Sequence, residues 1–239
     1  MLDSVVSVII PAYNEEKTIE YVISDTAEVL TALNIPHEII VVNDGSTDKT
    51  LQAASACKAM VLSNEQNEGK GYCLRKALQF AQGDIIVTMD SDGEHKPKDI
   101  PDLLHALDED VDVVSGSRFL NGGSKVTTRI NLVGNLLFNI AIMVLTGRRI
   151  TDSQTGFRVA RRSLLEQLNL ESDRYEIETE IAVKSLMMGF NFKELPISIE
   201  RRKFNVSKLK IIRDGPRILS AIMKSALSSF ARANKNTSE

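Results

Sequence analysis

Short apolar runs alternate with stretches of helical spacing along residues 1–118. The runs "VVSVII" (5–10), "EIIVV" (38–42), "AMVL" (59–62), "DIIVTM" (84–89) and "DVVSGS" (112–117) predict strands. Each is brief, rich in β-branched residues and bounded by turn formers. Helices are predicted between them, over about 16–33, from Asp48 onward, over 70–82 and over 98–108. Unbroken apolar runs are what strands need when helices cover both faces of their sheet. The rhythm therefore predicts an α/β fold, Rossmann-like, with a mostly parallel sheet and helices on both faces. In such sheets ligands sit outside the carboxyl ends of the strands, so the loops after each strand are expected to carry function.

Beyond residue 118 the pattern changes to helices near 127–146, 160–168 and 176–188, one strand at "FKELPISI" (192–199), and a basic amphipathic helix over 211–231. Gly215-Pro216 is expected to break or restart that last helix. Asn131, Asn135 and Asn139 recur every four residues, which on a helix makes one polar stripe opposite an apolar face. The apolar stretch 132–147 is too short and too interrupted to span a bilayer. The chain reads as a single domain, 1–239, whose halves meet near residue 118.

Composition narrows the class. With 239 residues, 43% of them hydrophobic, one substantial core is affordable and overall disorder is excluded. Two cysteines, Cys57 and Cys73, with no Cys-x-x-Cys pair, indicate neither a disulfide framework nor a zinc site. The N-terminal run lacks a basic leader and breaks at Pro11, so it does not read as a secretory signal. The net charge of -3 conceals an asymmetry: residues 201–239 carry +8 and residues 1–200 carry -11. A basic end on an acidic body suits an anionic partner there, although a solvated charged helix has the same composition.

Four loops carry candidate chemistry. "PAYNEE" (11–16) offers Tyr13 and Glu15 to a nucleobase, while Asn14 and Glu15 also suit a helix start. "NDGSTDKT" (43–50) supplies Asp48 as a helix cap and Asp44 as an acceptor for base or ribose. "NEGKG" (67–71) fails the Walker pattern but sets Lys70 at a helix N-terminus, where backbone N–H groups favour a diphosphate. "MDSDGEH" (89–95) places Asp90 and Asp92 two apart at a strand end, a pair of hard oxygen ligands for a divalent cation, with Glu94 as a third ligand or an outer partner. A calcium EF-hand is excluded, since glycine falls at loop position 4 and Pro101 occupies position 12.

In this order, "VSVIIPAYNEE", "VVNDGSTDKT", "NEGKG", "MDSDGEH", "GSRF", "DSQTGFR" and "RKFNVSKL" resemble family 2 glycosyltransferases of the GT-A fold, and within them the polyprenyl-phosphate (dolichyl-phosphate) mannosyl and glucosyl synthases. The resemblance implies that Pro11, Tyr13, Glu15, Asp44 and Lys70 hold the nucleotide sugar, and that Asp90 and Asp92 bind metal and donor diphosphate. Glu94 stands where the mannosyl enzymes often carry Gln. Arg118, Arg202, Ser207 and Lys208 match acceptor-phosphate positions, and Asp152, Gln154 and Thr155 match the acceptor-side loop. Asn205 replaces a common glycine in "RKFNVSK", a substitution that still tolerates positive φ.

The implied reaction inverts the anomeric carbon. Mg or Mn neutralises the leaving nucleoside diphosphate while a lipid phosphate, already anionic near neutral pH, attacks from the opposite face. Asp92, Arg118 and Asp152 form the expected catalytic set, Asp152 as a base or as an acceptor-positioning group. A UDP-sugar is favoured over GDP-mannose, because "NEGKG" is closer to the glucosyl type. The expected partners are a nucleotide sugar, a polyprenyl phosphate and a membrane surface, with no nucleic acid. The expected location is cytoplasmic, peripheral at the membrane face, with the helices near 127–146 and 211–231 along the interface. Two other readings remain open: a family 2 transferase acting on a polysaccharide or glycan, and a non-catalytic nucleotide- or calcium-binding module.

Overall fold

The computed structural model describes residues 4–120, 128–200 and 211–236. Their first half alternates strand and helix: β1 (Val6–Ala12), α1 (Ile19–Ala32), β2 (His37–Asp44), α2 (Thr50–Ser55), β3 (Met60–Asn64), α3 (Lys70–Leu78), β4 (Ile85–Thr88), a 3-10 turn (Pro97–Asp99), α4 (Ile100–His105) and β5 (Val113–Ser117). The second half holds α5 (Arg129–Thr146), β6 (Arg158–Arg161), α6 (Arg162–Gln167), α7 (Glu176–Met187), β7 (Phe192–Pro196) and α8 (Ile211–Asn236). The strands form one seven-stranded sheet in the order β3-β2-β1-β4-β6-β5-β7.

Successive β1 side chains point to opposite sides, and both sides are buried. Val8 and Ile10 join Val22, Ile23, Leu103 and Phe157 on one face. Ile9 joins Cys73, Leu74, Ile177 and Ile181 on the other. That two-sided burial is the reason for the unbroken apolar runs, and the α/β fold with a mostly parallel sheet is observed as expected.

The exception is β6, which runs antiparallel between β4 and β5. The sequence reading set a helix over 160–168 and no strand here. The misreading has a physical cause: "RVAR" offers only two apolar residues between two arginines, too little for a pattern. Direction matters more than the miss. Because β6 is antiparallel, its amino end, and with it the segment 152–157, lies at the edge where the parallel strands end.

Other boundaries shift for local reasons. The first helix begins at Ile19 rather than 16, because Asn14 takes φ +53° and Glu15 to Thr18 form a tight turn; Asn14 is thus not a helix cap. Helix α3 ends at Leu78, short of 82, and β7 ends at Pro196, short of 199. Gly215-Pro216 does not break the last helix: α8 is continuous from Ile211 to Asn236 with Pro216 inside it.

Helix α5 is inverted relative to an ordinary surface helix. Asn135 and Asn139 are buried, whereas Leu132, Val133, Leu136, Leu137, Ile140 and Val144 face outward. The remaining inward residues, Phe138 and Ile142, pack with Val183 of α7 and with Ile218 and Ile222 of α8. Helix α8 also turns apolar residues outward, among them Met223, Leu227 and Phe230. Among the described residues no helix is long and apolar enough to cross a membrane.

The two faces of α5 should respond oppositely to substitution. Ile142→Ala, which opens a void at a fully buried site, is expected to cost about 2–5 kcal/mol, and Leu137→Ser, at an exposed one, less than about 0.5 kcal/mol. Denaturant midpoints of the two variants check this.

Candidate active site

The loops after β1, β2 and β4 converge at one sheet edge. Ser91 Oγ donates to the Pro11 carbonyl at 2.8 Å, tying the "MDSDGEH" loop to the end of β1. Glu15 is buried, its N–H donates to Thr50 Oγ1 at 2.7 Å, and its carboxylate accepts from Thr18 Oγ1 at 3.2 Å. Tyr13 lies beside it, half-buried. Asn14 Oδ1 accepts the Thr47 N–H at 2.8 Å and so links the first two loops. Asp48 behaves as a cap, its carboxylate accepting the Thr50 N–H at 2.9 Å.

Asp44 stands at the end of β2, on the same edge, and already has partners within the chain. Its buried carboxylate accepts from Asn64 Nδ2 at 2.8 Å and from Asn67 Nδ2 and the Glu68 and Gly69 N–H groups, each at 2.9 Å. Four donors fill the usual acceptor sites of a carboxylate. Asp44 thus organises the loop that delivers Lys70. Beside it the Cys73 thiol is pushed up by burial and by the Asp44 charge, which keeps it protonated and unreactive.

Lys70, at the first position of α3, is paired with Asp90 and, at 2.8 Å, with Glu178 of α7. Glu178 in turn pairs with Arg158 of β6. Burial lowers the Lys70 pKa, but the Asp90 and Glu178 charges outweigh it and raise the pKa overall, so the ammonium is kept. Gly156 passes so close that a Cβ there would overlap Lys70 Nζ and stand 2.9 Å from Asp90 Oδ1. Only a residue without a side chain leaves that approach to the carboxylate open.

Asp92 is buried and accepts the Glu94 N–H at 2.9 Å, a turn that Gly93 completes at φ +74°. A side chain at 93 would also run into the Tyr21 hydroxyl. His95 is buried and stacked on Phe157 with 5.2 Å between ring centres. Burial pushes its pKa down, and its Nδ1 accepts the Asp90 N–H at 3.3 Å, so the ring is neutral and steadies Asp90. Among the described residues no group of three or more acidic, histidine or cysteine side chains could hold a metal by itself. Asp90, Asp92 and Glu94 are therefore not gathered as a three-ligand cage. Two carboxylates still fit a hard divalent ion whose remaining ligands come from a diphosphate.

On the neighbouring loop, Arg118 follows β5 and forks onto Asp152, Nε to Oδ2 at 2.7 Å and Nη2 to Oδ1 at 2.9 Å. The Arg118 and Gln154 N–H groups add 3.1 and 3.2 Å hydrogen bonds to the same carboxylate. Burial lowers the Arg118 pKa, yet Asp152, with Glu94 and Asp90 behind it, more than reverses this and fixes the positive charge. Four donors on one carboxylate make Asp152 the anchor of this turn and of the guanidinium. Gln154 donates to Thr179 Oγ1 at 2.5 Å. Thr155 is fully buried and its hydroxyl accepts the Phe157 N–H at 3.3 Å. Arg202, Ser207 and Lys208 lie outside the described residues.

An acidic pair beside a buried lysine and a carboxylate-held arginine, both at the carboxyl edge of a doubly covered α/β sheet, make an enzyme site suited to anionic ligands. Residues 7–168 match the model of "Glycosyl transferase family 2", and the chain belongs to that family; it is a glycosyltransferase of GT-A fold. A UDP-N-acetylglucosamine--dolichyl-phosphate N-acetylglucosaminyltransferase of Methanococcus voltae is 32% identical over 87% of this chain and 90% of its own. A dolichyl-phosphate hexose transferase of Haloferax volcanii is 29% identical over 92% and 93%. Glucosyl-3-phosphoglycerate synthase of Mycobacterium tuberculosis, solved with Mn2+, UDP and phosphoglyceric acid, superposes with a TM-score of 0.72, 26% identity, 95% of this chain and 78% of that one.

Sequence reasoning did not single out Glu178, Arg158 or Glu194. Arg158 stood inside the quoted "DSQTGFR" without a role, and the three glutamates of "EIETE" gave no sign that Glu178 and Glu180 turn inward or that Glu178 meets Lys70. The burial of Asp44 generates a test. Asp44→Asn replaces an acceptor by a donor facing two N–H groups, at a cost of about 1–3 kcal/mol. Amide exchange at Glu68 and Gly69 should accelerate ahead of the β-strand amides, as native-state hydrogen exchange will show.

Proposed function

We propose that the protein is an inverting transferase that moves a sugar from a nucleotide sugar, with a UDP-sugar favoured over GDP-mannose, to a polyprenyl phosphate. The observation that carries this reading is the Arg118 fork on Asp152, a fixed cation one loop away from Asp90. Residues 1–118 serve the donor and residues 119–239 the acceptor. Pro11, Tyr13, Glu15 and Asp44 hold the nucleotide, and Lys70, on the loop that Asp44 orders, meets the diphosphate. Asp90 and Asp92 hold Mg or Mn, which supplies charge neutralisation for the departing diphosphate. Glu94 serves as an outer group that adds negative charge near Arg118.

The acceptor phosphate is anionic near neutral pH, so no residue need remove a proton from it. Arg118, with Arg202, Ser207 and Lys208 from the basic segment, holds that phosphate against the anomeric carbon. Its oxygen forms the new glycosidic bond as the bond to the diphosphate breaks, and the configuration inverts. Asp152 keeps the guanidinium aimed, and Gln154 buttresses the turn. The dolichyl-phosphate acceptors of the two archaeal relatives support the choice of acceptor.

The outward apolar faces of α5 and α8 suit a bilayer interface, and a +8 C-terminal segment suits anionic headgroups. We place the protein peripherally at the cytoplasmic face. A polysaccharide or glycan acceptor would leave those faces without a purpose. Activity on such acceptors and none on polyprenyl phosphate would overturn the reading.

Two measurements follow. With Mg2+ or Mn2+, a panel of nucleotide sugars and polyprenyl phosphate, one labelled sugar should enter the lipid fraction, and Asp92→Asn should lower that rate by about 100-fold or more while the fold persists. Sedimentation with phosphatidylglycerol vesicles should carry the protein down at low salt and less of it at high salt. Leu137→Asp and Leu227→Asp together should leave it in the supernatant.

A further inference from the structure

The turn that carries Asp152 is held almost entirely by side chains. Asn135 and Asn139 of α5 both donate to the Thr151 carbonyl, at 3.0 and 2.7 Å. Asn139 Oδ1 accepts the Ser153 N–H at 3.2 Å, and Asn135 Oδ1 accepts from Ser153 Oγ at 3.3 Å. From the other side Glu194 of β7 accepts the Thr151 and Asp152 N–H groups at 2.8 and 2.9 Å. Ser117, the residue before Arg118, shares a 2.7 Å hydrogen bond with the Thr151 hydroxyl.

Such a turn is an expensive way to satisfy three peptide groups. Glu194 brings a second carboxylate toward Asp152, and both burial and that like charge act against its ionised form. Two asparagines occupy inward positions of a helix whose outward positions are leucine, isoleucine and valine. The opposite assignment would have buried more apolar area at about 25 cal/mol per Å2. A turn with only a packing role would do better with backbone hydrogen bonds and an apolar α5 face. What distinguishes the turn is its cargo: the Asp152 carboxylate that receives the Arg118 fork.

We infer that Asn135, Asn139 and Glu194 are positioning residues of the acceptor site, which fix the direction of Arg118 through Asp152 and tie it to the helix that bears the outward apolar face. The inference rests on the acceptor role proposed for Arg118. It extends that role to residues that touch neither substrate. It also gives α5 two tasks on opposite sides: apolar residues facing out, and asparagines holding the turn that aims the arginine.

The test uses the full chain and the variants Asn135→Ala and Glu194→Gln, the second as a safeguard should the first fold poorly. An alanine cannot hold the Thr151 carbonyl, and an amide accepts one of the two N–H groups while opposing the other. For each, KM is measured for polyprenyl phosphate and for the nucleotide sugar, alongside calorimetric affinity for UDP with Mn2+. The acceptor KM is expected to rise about 5- to 10-fold, the loss of one hydrogen bond, with donor KM and UDP affinity within about twofold of wild type. Folded variants in which both KM values rise together, or neither moves, overturn the inference. A wild-type enzyme that ignores polyprenyl phosphate but uses a soluble acceptor such as 3-phosphoglycerate removes the lipid reading alone, and the same KM comparison on that acceptor then decides the positioning role. Transfer only to an uncharged acceptor overturns both.

Discussion

A single buried ammonium group organises the edge where β1, β2 and β4 end. Lys70 stands between Asp90 and Glu178, and Glu178 stands between Lys70 and Arg158, so four charges from α3, the end of β4, α7 and β6 form one alternating chain. Such chains seldom add stability, because removing each charge from water costs about as much as its partner returns. Breaking one is another matter, since the orphaned neighbour stays buried. The chain therefore locks the relative positions of four elements without making the fold much more stable. Other features follow from it: Gly156 without a side chain, His95 neutral beneath Asp90, and Asp44 spent on the loop that supplies Lys70.

The second charge pair is arranged differently. Arg118 and Asp152 form a closed bidentate pair at the next loop, with the carboxylate fully buried and the guanidinium partly exposed. The asymmetry leaves the guanidinium reachable, as the proposed acceptor role needs, while the buried carboxylate holds it still. An acidic edge, proposed for the donor, and a cationic one, proposed for the acceptor, thus lie side by side, and Arg118 feels both Asp90 and Glu94. Their adjacency depends on β6. A parallel strand in that place would send its preceding loop to the far side of the sheet and remove Asp152 from Arg118.

That strand also marks the limit of what the sequence discloses. Two-sided burial leaves unbroken apolar runs, so β1, β2, β4 and β5 were legible, and with them the edge where chemistry belongs. Charged residues set in the loops just after apolar runs were legible too: Asp90, Lys70, Arg118 and Asp152 stood out by motif, and the fold brings them to one edge. Asp44 was singled out, but its partners were not, because the side chains it satisfies come from a loop twenty residues further on. Glu178 and Glu194 were invisible for a related reason. A glutamate on a helix or an edge strand ordinarily faces water, and only the fold reveals which ones do not.

The inverted α5 joins these threads. Its asparagine stripe was legible as a period of four, yet a periodicity cannot say which face turns inward. An ordinary amphipathic helix would bury the leucines, and the hydrophobic effect favours that choice by several kcal/mol over a face of this size. The observed choice requires compensation on both sides: hydrogen bonds to the Thr151–Ser153 backbone inside, and an apolar environment outside. The inside half of that compensation is present in the chain itself. The outside half is what the proposed bilayer interface would supply, and on that reading a helix that gains from an apolar environment while holding the turn beneath Arg118 couples the proposed acceptor site to where the protein sits.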